Sequence, residues 1–251
     1  DEDLRADRQP EFTQVDMELS FVDVEDVISV NERLIQYVCK EAIGLDVQLP
    51  IQRMTWQEAM DRYGSDKPDT RFGMELNDIT ECFADSNFAV FTGAVANGGS
   101  VRAITVEDGA KMARKEIDSL VEFVKSYRAK GLAWLKWAEN GDISSSYAKF
   151  LTDEENEAIK TAMDAQAGDL VLIVADKNKV VFDSLGALRC ECAKRMGLLD
   201  PMDFKFLWVT EFPLLEYSEE DGRFYAKHHP FTSPMDEDLQ YIDSDPARVR
   251  A

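Results

Sequence analysis

Long apolar runs are missing from this sequence. The most apolar stretch, Leu170 to Ala175 (LVLIVA), is the size of a strand and well short of the roughly 18 to 20 residues that a membrane-crossing helix needs. No membrane partner is expected. Histidine is almost absent, with only His228 and His229, and two histidines without a third ligand do not define a metal site. Cysteine is sparse: Cys39, Cys82, Cys190 and Cys192 are too few for the dense disulfide framework of a small secreted domain and read as reduced thiols in a cytoplasmic protein. The Cys190-Glu191-Cys192 spacing is one residue short of a metal knuckle, so the cysteines read as small apolar residues. Positive charge is also scarce. With 28 basic against 49 acidic residues and a formal charge of −21, the chain is not a stand-alone nucleic-acid module, because such modules neutralise phosphates with Lys and Arg. A glycine-rich phosphate loop is lacking too, since Gly93 to Gly99 has no Lys-Ser/Thr ending. The opening DEDLRADRQP carries neither an initiator Met nor a secretion signal, and the expectation is a chain cut from a longer one.

What is present can fold. Hydrophobic residues make up 45% and aromatics 10% of 251 residues, enough for one large domain or two modest ones. Phe12 to Phe21 (FTQVDMELSF) alternates with period two, so a strand with Gln14, Asp16 and Glu18 on its polar side is expected. Asp23 then opens a helical stretch in which Val24, Val27, Ile28, Leu34, Ile35 and Val38 recur at mostly three and four, with Gly44 as its stop. Thr55-Trp56-Gln57-Glu58 has the capping-box pattern and starts a short helix to Tyr63, followed by the turn-rich Gly64 to Asp69.

From about Phe72 to Leu199 short apolar runs (88–91, 101–106, 132–137, 170–175) alternate with helical segments. One of these segments carries Ile117, Leu120, Val121 and Val124, and another opens at Thr152 to Glu155. This reads as an α+β unit of domain size, with Asn97-Gly98-Gly99 as a tight connection between two strands. After Pro201, strands are expected at Phe206 to Phe212 and Arg223 to His228.

Two constellations could carry chemistry. Gln14, Asp16 and Glu18 follow a loop, Asp1 to Gln14, that packs charges of both signs; such a set can hold an ammonium group and the polar edges of a base. A half-solvated antiparallel sheet produces the same alternation routinely. His228 to Pro234 (HHPFTSP) gathers both histidines between prolines at a strand end and is the best place to look for a substrate contact, although a His pair is more often structural.

The run Asp1 to Phe21 resembles the loop and second strand of motif 2 in class II aminoacyl-tRNA synthetases, in the form found in bacterial aspartyl-tRNA synthetases. Tyr63 to Arg71 (YGSDKPDTR) resembles that family's YGSDKPD segment, and His228 to Pro234 resembles its HHPFT-P segment. The resemblance spans essentially the whole chain. It implies an α+β fold in which part of the class II antiparallel sheet, at residues 1–71 and 200–251, is interrupted by an inserted α+β domain at 72–199, a module also found in an amidotransferase subunit that acts on misacylated tRNA. The family activates aspartate with ATP and Mg²⁺ and esterifies tRNA. By position, Glu2 matches the acid that reads adenine, Asp1 and Gln9 lie beside ATP, Gln14 and Asp16 face the aspartate pocket, Glu18 lies deeper in its wall, and His228 contacts bound aspartate.

The family's motif 2 arginine would fall before Asp1 and its motif 3 arginine after Ala251. The resemblance therefore implies an internal section of a homodimeric, cytoplasmic ligase that is inactive by itself, with no catalytic residue of its own. A binding or scaffold module built around the inserted domain is the competing expectation, and a paralogue that has lost tRNA charging is a third.

Overall fold

The computed structural model describes residues 11–229 and 231–251; Asp1, Glu2 and Gln9 lie outside the described residues. The chain divides into two compact units, residues 1–51 and residues 52–251.

In the first unit, helix α1 (Val24–Ile43) begins where the sequence places its cap. Asp23 accepts the amide N–H groups of Glu25 and Asp26 at 3.0 and 3.3 Å, and the Asp26 carboxylate accepts the Asp23 N–H, closing a capping box. Gly44 ends the helix in the left-handed region at φ +70°, its N–H returning to the Lys40 carbonyl at 3.0 Å. The apolar stripe is only partly buried: Ile28 is covered, whereas Val24 is 68% exposed. The buried Glu32 carboxylate accepts the Ile51 N–H at 3.0 Å and ties the following loop to the helix.

The strand expected at Phe12 to Phe21 is corrected: residues 12–19 have no regular structure, and every described residue from 11 to 26 is exposed. Alternation alone does not make a strand, whose amides and carbonyls need a neighbour. Among the described residues no strand pairs with this stretch.

The second unit is built on a five-stranded, wholly antiparallel sheet. Its strands are β2 (Asn77–Asp78), β3 (Ser100–Val106), β4 (Ala133–Trp137), β5 (Ile143–Ser145) and β6 (Leu170–Asp176), in the order β2-β3-β6-β4-β5. The central strand β6 explains the LVLIVA run. Leu170, Leu172 and Val174 face one core, with α4 (Arg114–Lys125) and α6 (Asn178–Arg195), while Val171 and Ile173 face another, with α3 (Ala89–Ala96) and α5 (Asp153–Ala162). A strand buried on both faces needs no polar alternation. Helix α5 opens with the expected capping box, Thr152 Oγ1 accepting the Glu155 N–H and the Glu155 carboxylate accepting the Thr152 N–H.

Phe88 to Phe91 lies at the start of α3 rather than in a strand, and Asn97 to Gly99 joins that helix to β3 rather than joining two strands. Short apolar runs cannot be divided between strand and buried helix by periodicity.

The remaining elements flank this sheet in sequence. Strand β1 (Gln52–Thr55) pairs in parallel with β7 (Leu207–Thr210), and α2 (Trp56–Tyr63) follows β1, capped by Thr55. Strands β8 (Leu215–Ser218) and β9 (Arg223–Ala226) form a hairpin; β7 and β9 fall within the expected strands Phe206 to Phe212 and Arg223 to His228, whereas β8 lies between them, where no strand is expected. The architecture is α+β with mainly antiparallel pairing.

Helices α2 and α6 meet backbone to backbone. A Cβ added at Gly186 would lie 2.5 Å from the Gly64 carbonyl oxygen, and one at Gly64 would lie 2.4 Å from that of Phe182. Gly186→Ala is expected to lower stability by about 1 to 3 kcal/mol, the usual range for overpacking. A urea midpoint equal to that of the parent chain would show that this contact yields.

Candidate functional site

His228 follows β9. The Lys227 N–H just before it donates to the Leu214 carbonyl at 3.0 Å, extending the hairpin by one bond. The exposed imidazole of His228 meets the ring of Phe212 edge-on, with centroids 4.8 Å apart. His229 is engaged differently: its Nδ1 accepts the Phe231 N–H at 3.2 Å and its carbonyl accepts the Thr232 N–H at 3.0 Å. Both histidines are exposed; His229 is hydrogen-bonded into the turn, whereas His228 is braced by Phe212.

Phe212 is itself held from the far end of the chain. Its carbonyl accepts the Ala251 N–H at 2.7 Å, and the Leu214 N–H donates to Val249 at 2.8 Å. Between these two bonds Arg250 gathers carboxylates. It binds Asp238 through Nε and Nη2 at 2.7 and 3.1 Å and Glu211 through Nη1 at 2.5 Å, and its amide N–H donates to Asp238 at 3.0 Å. Asp238 is buried, and the guanidinium hydrogen bonds hold its carboxyl below the usual range. Glu211 sits at φ +56°, a conformation that costs a non-glycine residue about 1 kcal/mol or more. Its ion pair with Arg250 stabilises this arrangement immediately before Phe212.

The segment Tyr63 to Arg71 contains one local ion pair. Arg71 grips Asp69 bidentately at 2.9 and 2.6 Å, and the Arg71 amide donates to the same carboxylate at 3.1 Å. These hydrogen bonds hold the Asp69 carboxyl below its ordinary range. Ser65 and Asp66 instead line a cavity of about 450 Å³ together with Trp56, Lys179, Glu216 and Lys227, and the Lys227 Nζ stands 4.4 Å from the centre of the Trp56 ring.

Gln14, Asp16 and Glu18 lie in the first unit, exposed and outside any strand. His228 lies in the second unit. The Arg250 network escaped sequence reasoning, because its carboxylates stand 12 and 39 residues away from it and belong to no short motif. Among the described residues of the second unit, exposed imidazole, ordered carboxylates and cavity-lining lysines can bind and orient a polar ligand.

Comparison with known proteins gives a consistent result. The family model described as tRNA synthetases class II (D, K and N) matches residues 1–251. An aspartate–tRNA(Asp/Asn) ligase of Lachnoclostridium phytofermentans is 66% identical over the whole chain. Aspartate–tRNA ligases of Clostridium novyi and Ruminiclostridium cellulolyticum are 64% and 61% identical, again over all of it. The chain spans 42% of the length of each of these relatives.

The ion pairs fix a pH dependence. Asp69, Glu75 and Asp238 are held below their ordinary values by Arg71, Arg62 and Arg250, so their contribution to stability is full above about pH 4, the unfolded value, and is lost as pH falls through the folded values. The urea midpoint should fall on acidification from about pH 4, and less steeply in Asp238→Asn. Parallel curves for the two proteins would remove Asp238 from the account.

Proposed function

The chain belongs to the class II tRNA synthetases (D, K and N), and from this we propose that it is a section of an aspartate–tRNA ligase. The observation that carries the reading is the full-length match, at 61 to 66% identity, to relatives that bear this name. The whole protein forms aspartyl-adenylate from aspartate and ATP and transfers the aspartyl group to tRNA, as a cytoplasmic homodimer. Among the described residues no helix is long and apolar enough to cross a membrane.

In this reading Asp1, Glu2 and Gln9 contact ATP, Gln14 and Asp16 bind aspartate, Glu18 lines the pocket wall, and His228 closes on the substrate. The chemistry suits the residue types. A carboxylate such as Asp16 pairs with the ammonium of aspartate, and an imidazole N–H donates to its carboxylate. Support for His228 comes from its exposed ring, braced by Phe212. Carboxylates cannot stabilise the charge that develops on a phosphoryl group; Arg and Mg²⁺ supply that. Among the described residues no three His, Cys, Asp or Glu side chains converge on a metal position, so no Mg²⁺ ligand is assigned. Residues 72–199 are the inserted domain. The second reading, a tRNA-related scaffold module built on that domain, draws on its two closed cores and requires that the full-length protein charge no tRNA.

Aspartate-dependent exchange of pyrophosphate into ATP tests both. The 251-residue chain alone should stay near background, and clear turnover would place the phosphate-stabilising groups within it. In the full-length enzyme, Asp16→Ala and His228→Ala should each lower kcat/KM for aspartate by about ten- to a hundredfold, the loss expected for a charge-assisted hydrogen bond. Unchanged values in both variants would remove these residues from the pocket.

A further inference from the structure

Arg250 is bonded to the chain on both sides of the segment His228 to Pro234. On the upstream side its guanidinium pairs with Glu211, and Pro213 bridges to Arg250 in antiparallel fashion between the Ala251–Phe212 and Leu214–Val249 hydrogen bonds. On the downstream side the Met235 N–H donates to the Arg250 carbonyl at 2.9 Å, immediately after Pro234. The buried Asp238 carboxylate accepts from the Arg250 amide and from its Nε, while the Asp238 N–H donates to the Met235 carbonyl at 3.0 Å. One residue therefore ties the entry and the exit of the histidine segment together.

The main-chain bonds on either side do not depend on which side chain stands at position 250. What the guanidinium itself adds is its hold on the carboxylates. Asp238 keeps the Arg250 amide as a donor if that hold is lost, but among the described residues the Glu211 carboxylate has no other partner. Glu211 is the residue that needs one, because its backbone lies in the left-handed region at φ +56°, which side chains other than glycine disfavour. Phe212 comes next, and its ring is the one that meets the His228 imidazole edge-on at 4.8 Å. Among the described residues the His228 side chain makes no hydrogen bond of its own. Its place is set by that ring.

We propose that Arg250 is a positioning residue for amino-acid recognition: by holding Glu211 in its left-handed conformation it sets Phe212, and through Phe212 the His228 imidazole. The inference rests on the reading of His228 as a contact to bound aspartate. Arg250 acts through that histidine and not on the substrate directly, since its Nε, Nη1 and Nη2 are all engaged by Asp238, Glu211 and Glu237. Its ion pair stands in for the conformational freedom that a glycine at position 211 would have.

The chain has only two histidines, so imidazole proton NMR of the 251-residue chain reads both. In Arg250→Met the His228 signals should move toward those of free histidine. The signals of His229, whose contacts to Phe231 are local, and the amides of Ile104 and Leu172 in the sheet should stay in place. Glu211→Val should displace His228 in the same way, because a β-branched residue resists positive φ, whereas Glu211→Gly takes that φ freely and should not. This pair decides the matter even if Arg250→Met does not fold. In the full-length enzyme, Arg250→Met should raise KM for aspartate about tenfold, the loss of one charge-assisted hydrogen bond from a displaced imidazole, and leave KM for ATP unchanged. Arg250→Lys, able to keep one of the two ion pairs, should fall between. Unmoved His228 signals in Arg250→Met, or equal effects of Glu211→Val and Glu211→Gly, would overturn the proposal, as would an aspartate KM that His228→Ala raises and Arg250→Met does not. His228 signals that move as stated, with aspartate kinetics unchanged in both Arg250→Met and His228→Ala, would uphold the Arg250 brace and remove instead the proposed role of His228.

Discussion

Arg189 is the residue around which the second unit is tied. It is 1% exposed, and its guanidinium donates to the carbonyls of Asp69, Phe72, Gly73 and Met74 at 2.8 to 3.3 Å, from residues 115 to 120 positions away. Its flat faces rest on Tyr63 and Phe72, with centroids 5.0 and 4.2 Å distant. A charge taken out of water is strongly destabilising unless its donors are met, and backbone carbonyls meet them without adding a second charge. Desolvation pulls the Arg189 pKa down from a value far above neutrality, and nearby Cys190, Asp69, Tyr63 and Glu75 oppose this. The loop between α2 and the sheet has almost no regular structure, so this single side chain supplies the hydrogen bonds that a strand pair would otherwise provide. The Gly64–Gly186 contact brings α6 against the end of α2, and Arg102 of β3 adds ion pairs to Asp61 of α2 and Asp78 of β2.

The distribution of charge separates carboxylates engaged by arginines from exposed groups. Asp69, Glu75 and Asp238 are engaged by arginines at 2.6 to 2.7 Å, and their task is to fix loops. Asp16 and His228, by contrast, remain exposed, and the roles proposed for them are in binding. The acidic chain suits a section whose proposed contribution is the binding of an amino acid and a nucleotide base, while stabilisation of phosphoryl charge falls to arginines that the family resemblance places elsewhere.

Much of the local structure was legible because it depends on neighbours in sequence. The Asp23 cap, the Gly44 stop, the Thr152–Glu155 box and the buried β6 run all follow from contacts within a few residues or from an unbroken apolar stretch. The failures have one cause. Phe12 to Phe21 alternates as a strand should, but a strand is completed by its partner, and none pairs with it among the described residues. Phe88 to Phe91 and Asn97 to Gly99 were misread because four apolar residues and a glycine turn serve a helix as well as a strand. Arg189 sits in a helix buried on nearly all sides, and its acceptors are backbone atoms, which leave no mark on side-chain identity. The family resemblance supplied the candidate roles of Gln14, Asp16 and His228; alternation and strand-end position alone left them ambiguous.

Amide hydrogen exchange in an Arg189→Met variant tests most directly whether the guanidinium, rather than the apolar packing around it, fixes the loop. The Leu76 N–H, bonded to the Arg62 carbonyl at 2.8 Å, reports the loop, and Ile104 and Leu172, paired across β3 and β6, report the sheet. Protection at Leu76 should fall by about a hundredfold, the loss for opening a segment freed of charge-assisted hydrogen bonds, while Ile104 and Leu172 keep theirs. Unchanged protection at Leu76, or an equal loss at all three, would contradict a local role for Arg189.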